Sequence, residues 1–117
     1  MDNLRAIAVF PKIEPGNVPK FKNLIKDLLV SVSSQKSILR YDVFFTSDDS
    51  SCIVLEEYDS AQAVIDHVDT NAEILGKLMD LGGKIEGKMF PQSQSGSAIA
   101  HIRENWDSTM HIHFAGK

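Results

Sequence analysis

A single cysteine, a single tryptophan and four prolines are spread over 117 residues. The lone Cys52 excludes an internal disulfide framework and cannot supply a thiolate zinc site. Aromatic residues make up only 8% of the chain, and 12 Lys and Arg stand against 16 Asp and Glu, with no basic stripe carrying interleaved aromatics. That balance argues against a nucleic-acid partner. No apolar run approaches the roughly 20 residues of a membrane span, and the N-terminus lacks a Lys- or Arg-led apolar run of signal-peptide length. The expected setting is therefore reduced and cytoplasmic, with no membrane partner. What is present is 43% hydrophobic residues and a net charge of −4. This describes one globular domain over residues 1–117, large enough for one core and too small for two.

The hydrophobic pattern sets the order of elements. Residues 4–13 (LRAIAVFPKI) read as a strand, and Glu14-Pro15-Gly16-Asn17 supplies a turn with Asn17 placed to cap a helix. Val18, Phe21, Leu24, Ile25, Leu28, Leu29 and Val32 then recur at spacings of three and four, opposite Lys20, Lys22, Asn23, Lys26 and Asp27. This predicts an amphipathic helix. Residues 37–46 and 51–58, rich in β-branched and aromatic side chains, flank the polar Ser47-Asp48-Asp49-Ser50 and predict a β-hairpin. Ser60 is placed to cap a second helix with Ala63, Val64, His67 and Val68 inward. That helix continues through Ile74, Leu75, Leu78 and Met79, with a break near Thr70-Asn71. A fourth strand over 84–90, a loop over 91–97, a short helix over 98–104 and a last strand over 109–114 complete the chain.

The order β-α-β-β-α-β, with an α-β extension over residues 91–117, is the α+β arrangement called ferredoxin-like or split βαβ: an antiparallel sheet with both long helices on one face. In the first strand Leu4, Ala6, Ala8 and Phe10 share one side while Ile7 and Val9 share the other. In the third, Cys52 and Val54 oppose Ile53 and Leu55. Both faces of the sheet are thus apolar, yet only one helical layer is available. The second face is expected to meet another copy of the chain, in a homodimer packed sheet to sheet and burying about 800 Å² per partner.

Over residues 4–90 the chain resembles the antibiotic biosynthesis monooxygenase superfamily of dimeric α+β barrels. The resemblance rests on the Pro15-Gly16 turn opening a helix with Phe21, on the Arg40-Tyr41 step, and on Leu55-Glu56-Glu57-Tyr58-Asp59-Ser60 followed by Ala63 and His67. The chain has Tyr58 where such proteins commonly have Trp, Ser34-Gln35-Lys36-Ser37 where they commonly have a Gly, and Ala72 near where they commonly have a second His. The resemblance implies a homodimer with a pocket between sheet and helices in each protomer. It also implies oxygenation of electron-rich aromatic or quinol-like small molecules with no metal, flavin or other cofactor.

Such chemistry needs a substrate able to give an electron to O₂, so the protein must remove a proton, stabilise the anion and exclude water. His67 is the candidate base, lying on an inward helical face and titrating near neutrality when unperturbed. It is about six residues into its helix, roughly 9 to 10 Å, which matches about three residues back along an antiparallel strand and places it over Glu56. Glu56 and Tyr58 share a strand face, so the carboxylate is placed to orient the imidazole and the phenol to bind substrate. Each has a plainer role: His67 as a hydrogen-bonded packing residue, Tyr58 as a core aromatic, Glu56 as an ion-pair partner at a sheet end. Asn71 is a candidate substrate donor or a helix-breaking cap. Arg40 and Tyr41 point to opposite faces, so only one of them faces the pocket; Arg40 is held in reserve as an anion-stabilising residue, with a surface charge as its default.

His111 and His113 would share a strand face, a spacing that two metal ligands use, but a third ligand must come from elsewhere, and a polar outer face explains the pair without metal. Cys52 and Met79, Met89 and Met110 read as packing residues. Two other functions stay open beside the oxygenase: a non-catalytic barrel that binds a small ligand, and a haem-binding or haem-degrading relative.

Overall fold

The computed structural model describes residues 3–117. Five strands and four α-helices follow one another among these residues as β1 (Leu4–Phe10), α1 (Val18–Ser33), β2 (Ile38–Phe45), β3 (Cys52–Tyr58), α2 (Ala61–Thr70), α3 (Ala72–Gly82), β4 (Glu86–Pro91), α4 (Ser97–Asn105) and β5 (Thr109–Met110). The sheet order is β2-β3-β1-β4-β5. The first four strands pair antiparallel, as the split βαβ order requires, and β5 joins the β4 edge in parallel.

Local chemistry explains the boundaries. A 3-10 turn over Pro15–Asn17 leads into α1, whose inward stripe buries Phe21, Ile25, Leu28 and Val32. Asn17 holds the cap position of α1 without a side-chain bond. The Ser60 hydroxyl accepts the Ala63 N–H at 3.2 Å and so starts α2. In the hairpin loop one Asp48 carboxylate oxygen accepts from the Ser50 N–H at 3.1 Å and from the Thr46 hydroxyl at 2.9 Å, closing the turn.

Two apolar clusters fill the space between helices and sheet. The larger joins β1 and β3 to α1 and α3 through Phe10, Phe21, Leu28, Val54 and Leu78. There Phe21 meets Phe10 and Phe45 edge to face, with ring centroids 5.1 and 5.9 Å apart. A Cβ on Gly82 would fall 2.6 Å from the Phe21 ring, so the end of α3 approaches this closely only as glycine. The smaller cluster gathers Leu4, Ala6, Tyr58, Ala63, Val64 and Met89 with Ile99 and Ile102 of α4, so the C-terminal extension is part of the packed body.

Two expectations are corrected. The last strand stops at Met110 instead of reaching residue 114, because β4 ends at Pro91, which has no N–H to extend the ladder beyond the His111 N–H bond to the Met89 carbonyl. Ile112 and Phe114 are consequently exposed. The fourth strand starts at Glu86 and not at Lys84, since Gly83 turns the chain at φ 89° and Lys84 reaches outward to Asp107. The sheet face away from the helices carries Leu39, Phe44, Ile53 and Leu55, all exposed in the single chain.

Candidate active site

A cavity of about 440 Å³ lies between the sheet and α2–α3. It exists because the sheet beneath it has little to fill the space. Ala8 faces Gly87 across the β1–β4 ladder, and Ala6 sits one step along on the same face. Val64, His67, Val68, Ala72 and Leu75 form the roof, and Tyr41, Glu56 and Tyr58 one wall. The lining is mostly apolar, with Tyr41, Glu56, Tyr58 and His67 as one set of polar groups and Lys84, Asn105, Asp107 and Ser108 as another.

The polar wall follows from register. Tyr41, Glu56 and Ala6 lie directly opposite one another on three adjacent strands and so share a face. Two residues on, Tyr58 points the same way, and its hydroxyl donates to Glu56 Oε1 in a short hydrogen bond. His67, buried on the last turn of α2, comes within 3.2 Å of the Tyr41 hydroxyl through Nε2. Its ring stands 5.2 Å from the Tyr41 ring and 5.8 Å from the Tyr58 ring, centroid to centroid.

Asn71 fixes the imidazole from behind. Its side-chain nitrogen donates to the His67 backbone carbonyl at 2.9 Å and to Gln35 Oε1 at 3.3 Å, and lies 3.1 Å from His67 Nδ1. A carbonyl partner requires the NH₂ of the amide at that position, and an NH₂ turned toward Nδ1 suits the neutral tautomer that carries its proton on Nε2. In that tautomer the Nε2–H donates to the Tyr41 oxygen and leaves the hydrogen of the Tyr41 hydroxyl free to donate in turn.

Burial decides the charges. The Glu56 carboxyl is pushed up from 4.5 to about 7 by desolvation, against a smaller opposing effect of the Tyr58 hydrogen bond. Burial holds the His67 imidazole down, from 6.5 to about 4. Both tyrosine hydroxyls are raised far above their ordinary value, first by burial and then by the neighbouring Glu56 carboxylate, so they stay neutral donors. Cys52, beneath the core, is pushed up to about 12 and has no nucleophilic thiolate. Burial thus brings the Glu56 carboxyl up toward neutrality and keeps the His67 imidazole neutral, with its two ring nitrogens facing Asn71 and the Tyr41 hydroxyl.

The structure brings Glu56, Tyr58 and His67 together. It does not join the Glu56 carboxylate to the imidazole; Tyr58 holds the one, Tyr41 and Asn71 the other. Asn71 caps α2 and supports His67 without lining the cavity. Arg40 is on the opposite face of the sheet, exposed and paired with Asp42 at 2.9 Å, and Tyr41 takes the inward place. The cause is a bulge between Ile38 and Arg40. Strict alternation from the inward Ile38 would turn Arg40 inward; the extra residue reverses the phase. His111 Nε2 bonds the Thr109 hydroxyl at 2.9 Å, and among the described residues no group of three His, Cys, Asp or Glu is placed to hold a metal ion. A haem iron on His67 would have to displace Tyr41 or Asn71. No helix among the described residues is long and apolar enough to cross a membrane.

An antiparallel split βαβ sheet under two helices, with a buried carboxyl and two phenols on one cavity wall, defines a ferredoxin-like α+β protein built to enclose a small molecule. The chain belongs to the antibiotic biosynthesis monooxygenase family, whose model matches residues 4–72. Members of this family are typically dimeric, and membership supports a monooxygenase-like role on a small molecule. Among solved structures, a conserved protein of Methanosarcina mazei Go1 is similar at 24% identity and a TM-score of 0.68, over 76% of this chain and 91% of the other. A structure named antibiotic biosynthesis monooxygenase is similar at 19% identity and a TM-score of 0.65, over 80% and 99%. MupZ of Pseudomonas fluorescens is similar at 13% identity and a TM-score of 0.80, over 99% and 93%, so its fold includes a counterpart of the C-terminal extension. These identities establish likeness of fold. No curated protein matches in sequence.

Proposed function

We propose that this chain is a cofactor-independent monooxygenase that works as a homodimer on an aromatic or quinol-like small molecule. The observation that carries the reading is Glu56, a carboxyl titrating at about 7 on the wall of a largely apolar cavity. A base poised near the working pH extracts a proton efficiently. Glu56 takes a proton from the activated CH₂ or phenolic OH of the substrate. The Tyr58 hydroxyl, and Tyr41 held by His67, donate to the anion that forms. The anion gives one electron to O₂, and the two radicals join as a peroxide. Protonation by Glu56 and loss of the second C–H proton then break the O–O bond and release water. For a CH₂ substrate the balance is R₂CH₂ + O₂ → R₂C=O + H₂O, with both oxidising equivalents supplied by O₂ and none by the protein.

The reading of the assembly rests on Leu39, Phe44, Ile53 and Leu55, an apolar sheet face with no helical cover in one chain. A second reading, a barrel that binds its ligand without turnover, is favoured by Ala72 in the cavity lining, which offers no second acid–base group on the helical side.

Oxygen uptake by the purified, metal-stripped protein with hydroquinones, anthrones and catechols tests the proposal. Uptake above autoxidation is expected, falling about 10²- to 10⁴-fold in Glu56→Gln. Full turnover in that variant would remove Glu56 from its role. Absence of enzyme-dependent uptake across the panel, alongside ligand-induced thermal stabilisation, would select the second reading.

A further inference from the structure

The far wall of the cavity is made by a part of the chain outside the segment that matches the family. From Asn105, the last residue of α4, to Ser108 the chain crosses the cavity as a strap and lines it. Three contacts seat this strap. The Trp106 ring packs against the cluster around Ile99 and Ile102. Ser108 fits into the notch at Gly87, where a Cβ would lie 2.5 Å from its hydroxyl oxygen and 3.3 Å from its own Cβ. The following residues pair with β4 through Thr109 and Met110. Asp107 adds an ion pair to Lys84 across the mouth, with both groups exposed, so this contact contributes little energy and chiefly marks where the strap crosses.

Trp106 is the one tryptophan of the chain, half-buried, and it is the aromatic side chain that the extension contributes to the cavity lining. Glu56 and the two tyrosines stand at the other end of the same cavity. A ligand whose acidic group reaches Glu56 therefore extends its skeleton toward Trp106. An indole wall favours a flat, electron-rich skeleton, since aromatic pairs gain beyond the area they bury.

We propose that the strap is the specificity element of the site, with Trp106 selecting planar fused-ring substrates by direct contact. This deepens the proposed function and rests on its choice of cavity, but selection by Trp106 is a matter of binding and stands apart from turnover.

The test compares two alcohols of one shape class, planar 2-naphthol and its saturated counterpart 2-decalol, by isothermal titration calorimetry. The proteins are wild type, Trp106→Phe and Trp106→Leu, since Phe keeps a flat ring and Leu keeps only apolar bulk. Wild type should favour 2-naphthol over 2-decalol by about fivefold or more, Trp106→Phe should stay within about twofold of that ratio, and Trp106→Leu should bring it close to one. An unchanged ratio in Trp106→Leu, or no binding of 2-naphthol to wild type at about 1 mM, overturns the proposal. A binding preference lost in the Leu variant, together with no oxygen uptake by wild type, leaves the strap as inferred and removes the oxygenase.

Discussion

Replacing Glu56 by Gln separates the cost of the buried carboxyl from every other titration in the molecule. In the unfolded chain this group releases its proton near 4.5; in the folded protein it does so at about 7. Between those values the native state binds a proton that the unfolded state has lost, so stability falls as pH rises through this window and levels off above it. At about 1.36 kcal/mol for each pH unit, the loss is about 3 kcal/mol by pH 8. His67 works in the opposite direction. Its folded value of about 4 is below the ordinary 6.5, so the unfolded chain binds the extra proton in that window and stability falls as pH is lowered from 6.5 to about 4. The two slopes nearly cancel in the wild type from about pH 4.5 to 6.5, and only the descent above that range shows. Glu56→Gln keeps an acceptor for the Tyr58 hydroxyl and removes the charge. Urea unfolding of both proteins at a series of pH values gives a difference in which shared groups drop out. The variant should gain on wild type by about 3 kcal/mol between pH 4.5 and 8. A flat difference over that range would refute the raised carboxyl and, with it, the base assigned to the site.

Three further outcomes are expected. In Tyr58→Phe the carboxylate loses its hydrogen-bond donor, so Glu56 titrates higher still, and the acidic limb of any pH–rate profile should move upward relative to wild type. Phe44→Glu puts a charge in the middle of the exposed apolar sheet face and should yield monomers in light scattering, while a wild type that is itself monomeric would remove the dimer. Truncation after Phe90 deletes the buried Ile99 and Ile102, each worth about 1.5 to 3 kcal/mol, and should lower the melting temperature by well over ten degrees in calorimetry; an unchanged value would show that α4 is not part of the core.

Periodicity alone carried the reading far where side chains repeat on one face. The stripe of α1, the Ser60 cap, the break at Asn71 and the strand face shared by Glu56 and Tyr58 are local patterns, and local patterns are what a single sequence records. Which of Arg40 and Tyr41 turns inward is decided by a bulge at Leu39 that inverts the alternation, and nothing short of the pairing with β3 reveals it. The raised Glu56 carboxyl and the lowered His67 imidazole depend on how much water each group loses, a property of the packed whole. Trp106 was overlooked for a similar reason: its place on the cavity wall depends on contacts with Gly87 and β4, distant in the chain. Gly87 between apolar strand residues was the signal available, since a glycine inside a strand often marks a close approach of backbone.

The small residues under the cavity have an evolutionary consequence. Ala6 and Ala8 occupy positions where larger apolar side chains would fill the void and stabilise the fold. Selection for stability alone would close such a hollow by single substitutions such as Ala8→Val. An open floor in a domain of this size is therefore maintained against a standing supply of stabilising mutations, and variants recovered from a screen for heat resistance should accumulate there, with ligand binding lost first.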